Sequence, residues 1–399
     1  MKILWVKIGG LWPLHVGGRL RSYHILSELS QRHEVTVLTT HGLTDDPNAL
    51  RRALPHCAAV SSFPYSAPKA GTARFGAALV RSWFSALPVD LFKWRVPALR
   101  AEAERIIASG AVDICIADFL HAAANIPFGR VPTVLFEHNV ESIIWKRLAD
   151  HERRFWRRAL LQHEYRKMWN GEQNACARAE MVIAVSSGDR RSLADAAPNA
   201  RTRAISTGVD TLYFTANGTP EGGAHLVFSG AMDWYPNEDA ILFFASEVLP
   251  LIRRKIPDVT VTVVGRNPSE RLRKASDLAG MQITGTVDDV RPFIDEGAVY
   301  IVPLRIGGGT RLKIFEALSM GKAVVSTTVG AEGLPLVDGE HFVGADGPED
   351  FSRAVISLLG DPDRRKSLGN AGRDLVRAHY SWENVAREFE AACHEALKS

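Results

Sequence analysis

The sequence predicts an α/β protein built from two doubly wound parallel sheets, and three observations predict it. Short apolar, β-branched runs alternate with helix-patterned segments along the first half of the chain. After a polar stretch at Thr215–Gly223 the same alternation starts again. The chain has 399 residues, 46% of them hydrophobic, which is too long for one ordinary core and long enough for two domains of about 200 residues each.

The strands predicted in the first half are Ile3–Ile8, Glu34–Thr39, Val112–Ala117, Thr133–Phe136, Met181–Val185 and Thr202–Ser206. Helical patterning fills the gaps, at Leu20–Gln31 and Val96–Ser109 among others. The second set is Leu226–Ser229, Val259–Val264, Gln282–Thr284, Val299–Pro303, Ala323–Thr327 and Phe342–Val343. From Pro362 onward the chain reads as helical, and Trp382–Leu397 has the length of one amphipathic helix. In open α/β sheets ligands bind beyond the carboxyl ends of the strands, so the loops that follow these runs are where function is sought.

Composition narrows the classes further. The N-terminal apolar run is broken by Lys7, and no stretch of about 18 uncharged apolar residues occurs, so neither a signal-peptide core nor a membrane span is predicted and a cytoplasmic location is expected. The four cysteines lie far apart with no C-x-x-C pair, which indicates neither a metal knuckle nor a disulfide framework. The net charge of +3 conceals an asymmetry: residues 1–213 hold 28 Lys and Arg against 19 Asp and Glu, +9, and the remainder holds 20 against 26, −6. A basic half suits an anionic surface or a lipid phosphate. Residues 145–169 carry much of it, with Arg153, Arg154, Arg157 and Arg158 on one side of a helical wheel and Leu148, Phe155, Trp156, Ala159 and Leu160 on the other. The pattern predicts one basic amphipathic helix, either at the inner face of a membrane or docked on the protein's own core.

The chemistry concentrates in residues 298–330, AVYIVPLRIGGGTRLKIFEALSMGKAVVSTTVG. It reads as strand, loop, helix, strand, with Gly307, Gly308 and Gly309 at the mouth of a helix over Thr310–Met320. Glycines there let backbone N–H groups approach a ligand closely, and a helix N-terminus adds partial positive charge. Arg305, Arg311 and Lys313 supply fixed cations for a diphosphate. Glu316, at the start of the second turn, is placed to accept two sugar hydroxyls.

This stretch resembles the donor-site segment of retaining, family-4 glycosyltransferases of the GT-B fold, especially a bacterial subgroup from exopolysaccharide loci with GGGTRLKIFEAL-like sequences. The resemblance extends along most of the chain. It implies two Rossmann-like domains facing a central cleft: an N-terminal acceptor-binding domain over 1–213, a C-terminal donor-binding domain over 214–378, and a terminal segment, 379–399, that returns to the first domain. It also implies that Gly17 and Gly18, in a first βα turn lacking the G-x-G-x-x-G fingerprint, form the glycine-rich acceptor-side loop. Gly230, Arg266 and Val287 border the nucleotide, and Gly307–Thr310 with Glu316 hold the donor. A cleft residue contacting the donor sugar falls near Asp118 or His121.

Glu137, His138, Asn139, Glu141 and Ser142 follow the Thr133–Phe136 run and belong by position to the cleft, His138 being a catalytic candidate. Two departures from the family stand out. Where many members carry an Arg and a Lys after the first strand of the second domain, the run Phe228–Asn237 has Met232 and Asp233. Where the family's Glu-x7-Glu pair begins, this chain has Gly308, and the backbone N–H groups of Gly308 and Gly309 are the candidates to take over that role. Asp210 in Ile205–Asp210 and the D-x-D at Asp361–Asp363 read as turn and helix-cap residues, so no metal site is expected.

The resulting expectation is a metal-independent retaining transferase with catalytic candidates Glu316, Lys313, Arg311, His138, Asp118 and His121. It takes a nucleoside-diphosphate sugar as donor and a saccharide or lipid-linked acceptor, in exopolysaccharide or envelope assembly. It needs no cofactor, has no nucleic-acid partner, and touches the membrane peripherally. Two alternatives stay open. A non-hydrolysing sugar-nucleotide epimerase would use Asp118, Glu137 and Glu141 as cleft carboxylates, and a catalytically silent binding subunit would fit Gly308.

Overall fold

The computed structural model describes residues 1–14, 17–218, 222–306 and 312–398. The chain divides into two compact units, Met1–Ser206 together with Val385–Ser399, and Thr207–Asn384.

The first unit is a seven-stranded sheet of β1 (Lys2–Lys7), β2 (Glu34–His41), β3 (Ala59–Pro64), β4 (Ile114–Asp118), β5 (Thr133–Phe136), β6 (Met181–Ala184) and β7 (Thr202–Ala204) in the order β3-β2-β1-β4-β5-β6-β7. Every pairing is parallel. β1 is sequence-first yet central, so the strand order reverses between β1 and β4. There Lys7 sits opposite Asp118, and Asp118 opposite Phe136. β1, β4, β5 and β6 are buried almost throughout, as expected of strands covered by helices on both faces. β3 is absent from the predicted strands because it is an edge: its sequence AVSSFP is half-exposed along its length and lacks an apolar run.

The second unit repeats the plan with β8 (His225–Ser229), β9 (Thr260–Val264), β10 (Gln282–Ile283), β11 (Val299–Val302), β12 (Ala323–Ser326) and β13 (Val343–Gly344), in the order β10-β9-β8-β11-β12-β13. The reversal falls between β8 and β11. A core of Val227, Tyr300, Val302, Ile314, Phe315 and Leu318 fastens the Leu312–Ser319 helix to this switch point. Gly208 has no room for a side chain, because a Cβ there would come within 2.7 Å of the Trp382 ring. Asp210 turns the chain by accepting the backbone N–H groups of Leu212 and Tyr213. Asp361 caps the Pro362–His379 helix through the N–H of Arg364.

The single basic helix predicted over 145–169 is instead two, Glu141–His151 and Phe155–Arg178. The break falls where Glu152 and Arg154 take extended backbone conformations. Neither does its apolar side dock on the protein: Leu148, Phe155 and Trp156 are exposed.

The last helix, Trp382–Ala396, contributes its later turns to the first unit. Phe389 is fully buried there, its ring 5.6 Å from Trp5 and 5.1 Å from Phe136, while Glu390 accepts from Arg32 and pairs with His33. Truncating Phe389 to alanine should therefore cost about 3–5 kcal/mol. The expected result is a lowered urea midpoint for a first-unit transition followed by Trp5 fluorescence.

Candidate functional site

At the switch point of the first unit a lysine lies inside a buried strand, and a buried ammonium requires a partner. Lys7 donates to Asp118 Oδ1 at 2.8 Å, His138 Nε2 meets the same oxygen at 2.8 Å, and Trp5 Nε1 donates to Oδ2 at 2.9 Å. Arg21, on the Gly17–Ser30 helix, reaches His138 Nδ1 with Nη1 at 3.1 Å. A guanidinium only donates, so Nδ1 is the acceptor and Nε2–H is the donor to Asp118. The imidazole is thus neutral. Burial, reinforced by the Lys7 charge, lowers its pKa to about 3. Lys7 and His138 outweigh the burial of Asp118 and hold its carboxyl far below the usual range. Gly18 closes against the ring, where a Cβ would sit 3.4 Å from Nδ1. Phe119 follows β4 with φ 81°, and its ring lies 5.0 Å from that of His138. For a bulky residue this conformation is a backbone outlier.

Beside this hub is a second buried group. Glu172, on the Phe155–Arg178 helix, accepts the Glu141 N–H at 2.7 Å and the Ser142 hydroxyl, which ties down the start of the Glu141–His151 helix. Burial pushes its carboxyl up to about 7. Glu137 is buried, and its carboxyl oxygens have no hydrogen-bond partner among the described residues. Burial and the neighbouring Glu172 and Glu141 push its carboxyl well above the usual range.

These contacts correct two expectations and place a third candidate. Asp118 does not face a ligand: it is fully buried and both its oxygens are occupied. His138 is not a titrating acid or base near neutral pH, since both ring nitrogens are engaged and the ring is buried. His121, the other candidate after β4, is engaged elsewhere. Its Nε2 meets Asp90 Oδ2 at 3.0 Å and its ring stacks on Phe119.

The second unit's switch point is different in kind. Gly230 follows β8, and the Leu312–Ser319 helix comes in after β11. The Lys313 ammonium crosses to the end of β8, donates to Asn237 Oδ1 at 2.7 Å and lies 4.0 Å from the centre of the Phe228 ring. A Cβ on Gly230 would fall 2.7 Å from Nζ. One turn along, Glu316 is half-buried and its carboxyl makes no hydrogen bond among the described residues. Burial pushes its carboxyl up to about 7, with Lys313 pulling the other way. Below it, Tyr300 and Ser229 join hydroxyl to hydroxyl at 2.5 Å and brace β11 against β8. A fixed cation, an open glycine backbone and an uncommitted carboxylate therefore converge at one strand end. That combination suits a diphosphate joined to a polyol.

Arg305 is corrected by this geometry. Its Nε and Nη2 grip Asp239 at 3.0 and 2.7 Å and its guanidinium lies over Phe243, so its charge is already matched. Arg266 follows β9, is half-exposed, and stands 3.8 Å from Asp233, while its carbonyl accepts the Met232 N–H. Val287 packs on the apolar cluster beneath Glu316. Gly17 opens the Gly17–Ser30 helix. Gly307, Gly308, Gly309, Thr310 and Arg311 lie outside the described residues. Sequence reasoning missed Lys7, Arg21 and Asn237. A lysine interrupting a buried strand was a usable signal for the first of these, whereas Asn237 meets Lys313 across 76 positions and carries no local signature.

Two Rossmann-like units, each with polar groups gathered at its switch point, define a class of two-sheet α/β proteins. Comparison with known proteins narrows it. The family described as Glycosyltransferase Family 4 matches residues 17–212, and that described as Glycosyl transferases group 1 matches residues 223–361. The chain belongs to the family-4 glycosyltransferases. A phosphatidyl-myo-inositol mannosyltransferase of Mycolicibacterium smegmatis is 31% identical over 196 residues, 46% of this chain and 50% of that one. An uncharacterized 44.6 kDa protein from the cps region of Klebsiella pneumoniae is 25% identical over 169 residues, 40% and 44% of the two chains. The chain spans about half the length of the curated relatives it matches. Among solved structures, sucrose-phosphate synthase from Thermosynechococcus elongatus superposes with a TM-score of 0.69 at 15% identity, covering 100% of both chains. Anabaena HepE in complex with UDP gives 0.67 at 15% identity, covering 98% of this chain and 99% of that one. The fold is GT-B.

The first unit's hub predicts a pH dependence. Because the folded state holds His138 at about 3 and an unfolded histidine titrates near 6.5, the unfolded chain binds the extra proton between those values. Its contribution to stability is complete above about pH 6.5 and is lost as the pH falls through that window. Glutamine offers the same one donor and one acceptor, so His138→Gln should flatten the loss. Urea midpoints of both proteins at pH 7 and pH 5 check this, and equal slopes would contradict it.

Proposed function

We propose that the protein is a retaining, metal-independent glycosyltransferase that moves a hexosyl group from a nucleoside-diphosphate sugar to a saccharide or lipid-linked acceptor in envelope or exopolysaccharide synthesis. The observation that carries the proposal is the Lys313 ammonium beside the Gly230 backbone with the Glu316 carboxylate one turn on. In it, Lys313 meets the departing diphosphate, whose charge grows toward the transition state, and Glu316 accepts hydroxyls of the ribose. The leaving phosphate itself takes the acceptor proton, so no protein nucleophile is required. The UDP and UDP-glucose complexes of HepE support a uridine diphosphate donor. The mannosyltransferase relative supports a hexose and, through its phosphatidylinositol substrate name, a lipid-borne acceptor. The epimerase alternative loses its base, because Asp118, Glu137 and Glu141 are all buried.

Glu316→Ala should keep the fold and weaken donor binding by roughly 1.5–3 kcal/mol, the worth of a hydrogen bond to a charged group. With the carboxyl at about 7, the charged acceptor forms as the pH rises through that value, so UDP-sugar affinity should climb between pH 6 and 8 and Glu316→Gln should remove the climb. Calorimetric titration measures both, and a pH-independent dissociation constant in the native protein would exclude this role. Lys313→Ala should reduce turnover by about 2.7–4 kcal/mol, more than it weakens donor binding. Chelator should leave the rate nearly unchanged. A rate abolished by chelator and restored by Mg²⁺ would contradict the metal-independent reading.

Membrane contact belongs to the same proposal. No helix among the described residues is long and apolar enough to cross a membrane. The two helices over 141–178 instead expose Ile144, Leu148, Phe155 and Trp156 amid Lys146, Arg147, Arg153, Arg154 and Arg157, an aromatic and basic surface suited to anionic headgroups. Replacing Arg153, Arg154, Arg157 and Arg158 with glutamine should cost about 1 kcal/mol of vesicle affinity per charge. Unchanged cosedimentation with phosphatidylglycerol vesicles at low salt would contradict it.

A further inference from the structure

We infer that Asn237 is the positioning residue of the donor site, fixing the Lys313 ammonium at the end of β8 where it meets the diphosphate, a role that rests on the function proposed above. A lysine side chain is a point charge on a flexible four-carbon stem, so its location has to be imposed by its neighbours. Asn237 imposes it. The residue is buried, its Nδ2 donates to the Ala231 carbonyl at 2.8 Å, and its Oδ1 accepts from Lys313 Nζ at 2.7 Å. A carbonyl accepts only and an ammonium donates only, so the amide has one orientation that satisfies both ends. The Phe228 ring, 4.0 Å below Nζ, forms the floor, and Glu316 is the charged group on the same helix that faces the ammonium.

Chemistry explains why an amide stands here. An aspartate would anchor Lys313 as well, yet its charge would cancel the charge that a diphosphate needs. The neutral oxygen of asparagine holds the ammonium without adding a negative charge beside the ligand. The surroundings are built for this arrangement. A Cβ on Gly230 would lie 2.7 Å from Nζ and 2.8 Å from Asn237 Nδ2, so glycine is the residue that lets the three groups share the space. The one charged side chain of the run, Asp233, is occupied by Asn267 at 2.9 Å and by Arg266, and Met232 is fully buried. The 228–237 run thus supplies no cation of its own. It supplies the seat for one delivered from the helix after β11.

The test compares UDP with uridine, which lacks the diphosphate, by thermal-shift and calorimetric titration of the full chain. Asn237→Ala should weaken UDP about tenfold, the scale of a lost hydrogen bond to a charged group, and leave uridine within about twofold. In a Lys313→Ala background the same substitution should change UDP affinity less than about twofold, because the two residues act as one unit. Asn237→Asp, which keeps the shape, should also weaken UDP about tenfold by neutralising Lys313, and it decides the matter if the alanine variant does not fold. Equal losses for UDP and uridine, equal losses in both backgrounds, or unchanged UDP affinity in the aspartate variant would each overturn the inference. A native protein that binds neither UDP nor GDP would instead overturn the proposed function itself.

Discussion

A charge placed inside a parallel sheet dictates much of what surrounds it. Lys7 ends the central strand of the first unit and is removed from water, where an unpaired ammonium would cost several kcal/mol. Pairing in register places Asp118 directly opposite, and that carboxylate in turn orders Trp5, His138 and, through the ring, Arg21. Removing one member leaves another charge buried alone, so the group stands or falls together. It fixes the carboxyl ends of β1, β4 and β5 relative to the Gly17–Ser30 helix, and Phe119, with φ 81°, turns the chain over it.

The second unit uses the same topology to opposite effect. Its switch point also draws side chains from several elements to the end of an inner strand, but there Lys313 and Glu316 stay partly accessible. Tyr300 and Ser229 provide the braced floor, Asn237 and Phe228 seat the ammonium, and Glu316 keeps a carboxylate that nothing described bonds. The Lys7–Asp118–His138 hub engages its polar groups with each other, whereas Lys313 and Glu316 are the groups that the proposed function assigns to a ligand. That contrast separates a structural hub from a binding site more reliably than residue type does, since both contain the acids and bases from which catalytic sites are built.

The physics of burial explains which features were legible in the sequence. Strands buried on both faces, such as β4 and β11, announce themselves as apolar runs, while β3 alternates weakly and sits at an edge. That Lys313 and Glu316 lie together was legible because one turn of helix separates them, which specifies local geometry. Asp118 and His138 were misread because sequence position places them at strand ends but does not say whether such an end opens to solvent or closes on Lys7. Arg305 was misread because Asp239, its partner, comes from 66 positions earlier. The helix break at Glu152–Arg154 has neither proline nor glycine to mark it.

The central claim is that a nucleoside diphosphate binds at the β8/β11 switch point with its phosphates on Lys313. A crystal structure of the UDP complex tests it most directly. The account predicts density for the diphosphate against the Gly230 backbone within hydrogen-bond distance of Lys313 Nζ, and ribose hydroxyls on the Glu316 carboxylate. Diphosphate seated instead on Arg305, with Asp239 displaced and Lys313 still bound to Asn237 alone, would contradict it.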